Sequence, residues 1–109
     1  MSPDARPDVK LTPRQAQGQA RMVEMLEVAR ATKGDAFGAV VTAGVQARLA
    51  MRLFDASRNF AAPQEERSAM AHQIMDCVRQ LARDLALRPG ELGEALKHAR
   101  VVHREAFER

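Results

Sequence analysis

The chain has no tryptophan and no tyrosine, and its only aromatics are Phe37, Phe54, Phe60 and Phe107, 4% of 109 residues. Base-stacking platforms and aromatic cages need more rings, so neither is expected. Cysteine occurs once, at Cys77. That excludes an intramolecular disulfide and fits a reducing, cytoplasmic setting, with Cys77 expected as a buried thiol. Met1 to Asp8 hold two prolines and two acids but no apolar signal core. The longest uncharged run, Ala36 to Ala47, is well short of the roughly 20 residues that span a bilayer, so no membrane partner is expected. Sheet-like alternation, internal repeats and low-complexity stretches are all missing. Gly38 and Gly44 do not form a phosphate-cradling loop, because no glycine-rich strand-to-helix junction surrounds them.

Net charge is modest. Seventeen Lys and Arg against fourteen Asp and Glu leave +3. Residues 1–34 carry +2 and residues 35–60 carry +1, whereas 61–88 and 89–109 are each neutral. A strong nucleic-acid binder concentrates its cations on the contact element, and this chain keeps its excess in the N-terminal half.

What is abundant is alanine. Twenty alanines and six methionines favour close-packed helices over sheets. The length suits one domain, so the expectation is a flexible arm over residues 1–11 and a single all-α domain over 12–109. Thr12-Pro13-Arg14-Gln15 combines a capping residue, a proline for the first helical position and a capping-box glutamine. A helix from about Pro13 to Lys33 follows, closed by Gly34, and Asp35 is read as the N-cap of the next. That second helix, about Ala36 to Asn59, carries Phe37, Val41, Val45, Leu49 and Leu53 at four-residue intervals. A second strip of small residues beside them calls for partners on two sides. Pro63 with Glu65 and Glu66 starts a third helix running to about Leu87, with the seam Ala71, Ile74, Val78, Leu81 and Leu85. Pro89-Gly90 breaks the chain, and a fourth helix covers about Glu91 to Phe107. The architecture read from these signals is a compact four-helix bundle whose last two helices join through a tight Pro-Gly turn.

Residues 81–96 read Leu-Ala-Arg-Asp-Leu-Ala-Leu-Arg-Pro-Gly-Glu-Leu-Gly-Glu-Ala-Leu. Over about Val78 to His98 this resembles the helix-turn-helix of bacterial DNA-binding proteins, a motif rather than a particular family. Ala82 occupies the small position, Leu81, Leu85, Leu87 and Leu92 the buried ones, and Ala86 replaces the usual turn glycine. The resemblance implies that Glu91, Glu94 and Lys97 meet base edges and that Arg100 or Arg104 touches phosphate, with Arg88 a further candidate for DNA contact. The acids at the reading end bring negative charge toward the backbone, although glutamate can accept from cytosine.

Other constellations are thinner. His98 and His103 are five apart and face differently, and no metal-ligand set or paired catalytic carboxylates stand out. His103 is expected half-buried beside Val102 and Ala106. Arg48, Arg52 and Arg58 decorate the polar edge of the second helix as a solvated face or, with Arg14 and Arg21, a basic patch. Ala39, Ala43 and Ala47, one turn apart, suit the close approach of a second copy in a homodimer. With no cofactor and no catalytic group expected, the favoured function is a small non-enzymatic helical regulator or adaptor that binds a protein partner. Inhibitors and anti-activators of bacterial, plasmid or phage machines, CRISPR inhibitors included, are chains of this size and class. The alternative is a dimeric helix-turn-helix transcriptional regulator that binds duplex DNA.

Overall fold

In a computed structural model that describes residues 12–108, the chain forms four helices and, among those residues, no strand. They are α1 (Pro13–Lys33), α2 (Asp35–Ser57), α3 (Gln64–Asp84) and α4 (Pro89–Phe107). The arm expected over residues 1–11 lies outside the described residues. Helix α2 is central and packs against the other three, α1 also packs against α4, and α3 rests mainly on α2. The all-α bundle read from the sequence is therefore the fold.

The local signals at α1 act as expected. Thr12 Oγ1 accepts from the Gln15 amide at 3.1 Å, and the Gln15 side chain accepts from the Thr12 amide at 2.9 Å. Gly34 ends the helix at φ +99°, a conformation that L side chains rarely adopt. Asp35 does not cap α2. With Gly34 as the sole linker, Asp35 already sits in the first turn, and its carboxylate pairs with Arg30 at 3.2 Å.

The core is built from small side chains. Val40, Val41 and Val45 of α2 are fully buried together with Ala95, Ala99 and Val102 of α4. A Cβ on Gly44 would lie 2.7 Å from the Ala99 methyl, so α2 and α4 meet where neither helix has bulk. Gly18 plays the same part for α1 and α4, since a Cβ there would stand 2.5 Å from the Ala106 carbonyl oxygen. On the other side, Val78 and Ala82 of α3 are buried, with Ile74, Met75 and Leu81 partly covered.

Two helices end earlier than their apolar patterns imply. Helix α2 stops at Ser57 and α3 at Asp84. Both close through paired 6→1 and 5→2 hydrogen bonds, Phe60 to Asp55 and Asn59 to Ala56 in one, Leu87 to Ala82 and Ala86 to Arg83 in the other. The residues that turn the chain left-handed are Asn59, Phe60 and Ala86, none of them glycine. Leu85 thereby leaves the expected seam and is 38% exposed.

Two substitutions test this account. Gly44→Ala gains roughly 1 kcal/mol of helix propensity but drives a methyl into the Ala99 contact, an overpacking cost of about 1–3 kcal/mol. The contact is expected to win, lowering stability in urea titration. Ala86→Gly removes a left-handed strain of about 1–2 kcal/mol against a smaller glycine entropy cost, so the midpoint should rise.

Candidate functional site

Because α3 and α4 both rest on α2 and make little contact with each other, they diverge from the turn at residues 85–88. An open groove of about 340 Å³ lies between them over α2. Its apolar lining includes Ala47, Ala71, Ile74, Met75 and Leu96, and its polar lining includes Arg48, Arg52, Arg67, Asp55, His103 and Glu108. Arg67 grips Asp55 with two hydrogen bonds of 2.9 Å. That pairing holds the Asp55 carboxyl below the usual carboxylate range and raises the guanidinium. Arg48 and Arg52, one helical turn apart, form no ion pair with a described residue.

His103 is only 2% exposed, against the half-burial expected from sequence. Its Nδ1 stands 3.5 Å from a Glu108 carboxylate oxygen, and its Nε2 is buried without a hydrogen-bond partner among the described residues. Burial pushes the imidazole below the usual histidine range; Glu108 opposes that shift, while Arg52 and Arg48 reinforce it. The signal for this burial was present in the sequence. Leu92, Leu96, Ala99, His103 and Ala106 follow alternating spacings of four and three, the seam of a packed helix.

A second feature lies where α1, α2 and the end of α4 meet. Leu53 is 72% exposed and Phe60 79% exposed. With Met22, Leu49 and Phe107 they line an open groove of about 690 Å³, rimmed by Gln15, Gln19 and Arg52. Leu53 was expected in the core row of α2. A four-residue repeat drifts about 40° per step around an α-helix, so by Leu53 the row has turned roughly 160° from Phe37 and out of the core.

The residues assigned to DNA reading are spread along the outer side of α4. Glu91 accepts from the Arg88 amide and pairs with its guanidinium at 3.4 Å, and Glu94 pairs with Lys33 of α1 at 3.2 Å. Lys97, Arg100 and Arg104 make no ion pair with described residues, and Arg100 and Arg104 are exposed. The alanines assigned to a dimer interface fare differently. Ala39 is exposed, Ala43 is half-buried, and Ala47 is buried in the chain's own core, because α3 covers this side of α2. Cys77 is exposed rather than buried, at the edge of a shallow pocket between α2 and α3 that it lines with Ala43, Gln46 and Ala50. His98 packs edge-on to Phe37 at 6.2 Å. No three His, Cys, Asp or Glu side chains among the described residues are placed to hold a metal. Compared with family models, curated proteins and solved structures, the chain matches none.

The buried imidazole has a pH signature. The unfolded chain takes up a proton at His103 as pH falls through the ordinary value of 6.5, whereas the folded chain does so only at lower pH. Stability is undiminished above that value, declines as pH drops below it, and levels off beneath the folded pKa. His103→Gln should remove this part of the acid limb in urea titrations from about pH 8 to about pH 5. The Asp55 pair acts in a lower window, its stabilisation disappearing as pH falls through the depressed carboxyl pKa.

Proposed function

We propose that this chain is a small non-enzymatic regulator or adaptor that binds a protein partner through the surface centred on Leu53 and Phe60. One observation carries the reading: Phe60, a bulky aromatic, is held left-handed at φ +59° while 79% of its surface faces solvent. Left-handed backbone costs an L residue about 1–2 kcal/mol, and an exposed ring recovers little of it within the monomer. Strain at an exposed aromatic is the pattern of a residue retained for contact.

The groove beside it, floored by Met22 and Leu49, suits the apolar face of an amphipathic helix. Arg52 on its rim and the overall charge of +3 favour an acidic residue flanking that face. Phe60→Gly should then raise the thermal midpoint while weakening partner binding by about tenfold or more, stability and binding moving in opposite directions. Leu53→Asp should leave the midpoint nearly unchanged and weaken binding as well. If both variants retain the partner in calorimetry, this surface is not the contact. If they only dissociate a dimer in sedimentation, the occupant is a second copy.

A second reading, a dimeric helix-turn-helix regulator on duplex DNA, draws on α4. Arg88 and Lys33 engage the two acids, and Lys97, Arg100 and Arg104 remain available to phosphate. On this reading Arg104→Ala weakens binding to every sequence and lowers the salt slope by about 1 in anisotropy titrations. Duplex binding that is absent at physiological salt removes it.

A further inference from the structure

The groove between α3 and α4 shares Arg52 with the rim of the docking surface and otherwise has features that neither reading uses. Among the described residues it contains a buried imidazole nitrogen with no partner and two arginines on one face of α2 with no ion pair, over an apolar lining. A buried polar atom left unsatisfied costs about 1–3 kcal/mol, and the His103 ring that carries this one lines the open groove. We propose that this groove binds a small carboxylate with an apolar body, its charge between Arg48 and Arg52 and one oxygen on Nε2 of His103.

The charge inventory selects an anion. Arg67 and Asp55 satisfy each other, and Glu108 offsets one further cation, so Arg48 and Arg52 leave a single uncompensated positive charge around a neutral ring. The lining beneath, Ala47, Ala71, Ile74, Met75 and Leu96, calls for hydrocarbon rather than a second polar group. About 340 Å³ lies at the small end of the range for ligand sites.

Binding is coupled to a proton. In the free protein, burial and the two arginines hold His103 neutral, against the pull of Glu108. A carboxylate offsets both arginines and gives Nε2 an acceptor. The ring then takes one proton from solvent and donates from both nitrogens, Nδ1–H toward Glu108 and Nε2–H toward the ligand. Affinity therefore weakens as pH rises, by up to about tenfold per pH unit.

Benzoate is the probe, read by the imidazole nitrogen resonances of His103 in the intact chain and by calorimetry in two buffers of different ionisation enthalpy. The expected result is a saturable shift with a Kd of about 1 mM or lower, proton uptake on binding, and no binding of methyl benzoate. Arg48→Gln, at an exposed position lining this groove, should weaken benzoate about tenfold or more without lowering the midpoint. Phe60→Asp should leave benzoate affinity unchanged, so failure here is distinguishable from failure of the docking surface. Absence of a saturable ring shift, equal binding of the ester, or an affinity independent of pH overturns the proposal. Should His103→Gln not fold, the ring resonances of the unsubstituted chain and of Arg48→Gln still decide it.

Discussion

The approach of α4 to α2 at Gly44 and Ala99 is the constraint on which the other contacts depend. With no room for one more methyl between the helices, α4 settles directly onto the valines at residues 40, 41 and 45. Helix α1 completes that cluster from the other side through Ala29 and the Gly18 contact with α4. Helix α3 is left with α2 as its only substantial neighbour. The groove that holds His103 follows from this arrangement: it is the space left where two helices share a third and do not close on each other.

The same close packing makes the core thin. Its largest fully buried side chains are valines, and most of the leucines and methionines reach it only from its margin. A short chain covers a smaller share of its apolar surface than a long one, and here Leu53 and Phe60 remain outside. Phe60 is outside for a further reason. Its left-handed backbone donates to the Asp55 carbonyl and completes the closure of α2, which fixes the ring away from the core. Turn geometry and surface chemistry thus meet in one residue.

Electrostatics contributes little to the fold and more to the grooves. Pairs such as Arg21 with Glu24 and Arg79 with Asp76 lie on exposed helix faces, where each is worth about 0–1 kcal/mol. The two-pronged Arg67–Asp55 contact is better placed, since it ties the start of α3 to the end of α2 across the loop. With Asp55 engaged by Arg67, Glu108 is the remaining carboxylate in that groove, and Arg48 and Arg52 act on His103 against it.

Sequence by itself determined the number of helices, their order and the cap that starts α1, but not every end, since Asp35 lies inside α2 and both α2 and α3 close early. Thr12 with Gln15, Gly34, Pro63 and Pro89 act through their own backbone neighbours, so their effect can be read without knowing what packs where. Coverage was decided only in three dimensions. Helix α2 has apolar residues on several sides, and which of them are sheltered depends on where three other helices lie. The four-residue row therefore loses Leu53 to solvent, the seam of α3 loses Leu85, and Cys77 lies beside that seam rather than in it. His103 moved the other way: its spacing placed it on the buried face of α4, but its polarity argued for the surface. Close packing at Gly44 and Ala99 resolved that conflict, because a helix held so near α2 cannot turn one side chain outward without losing the rest of its face.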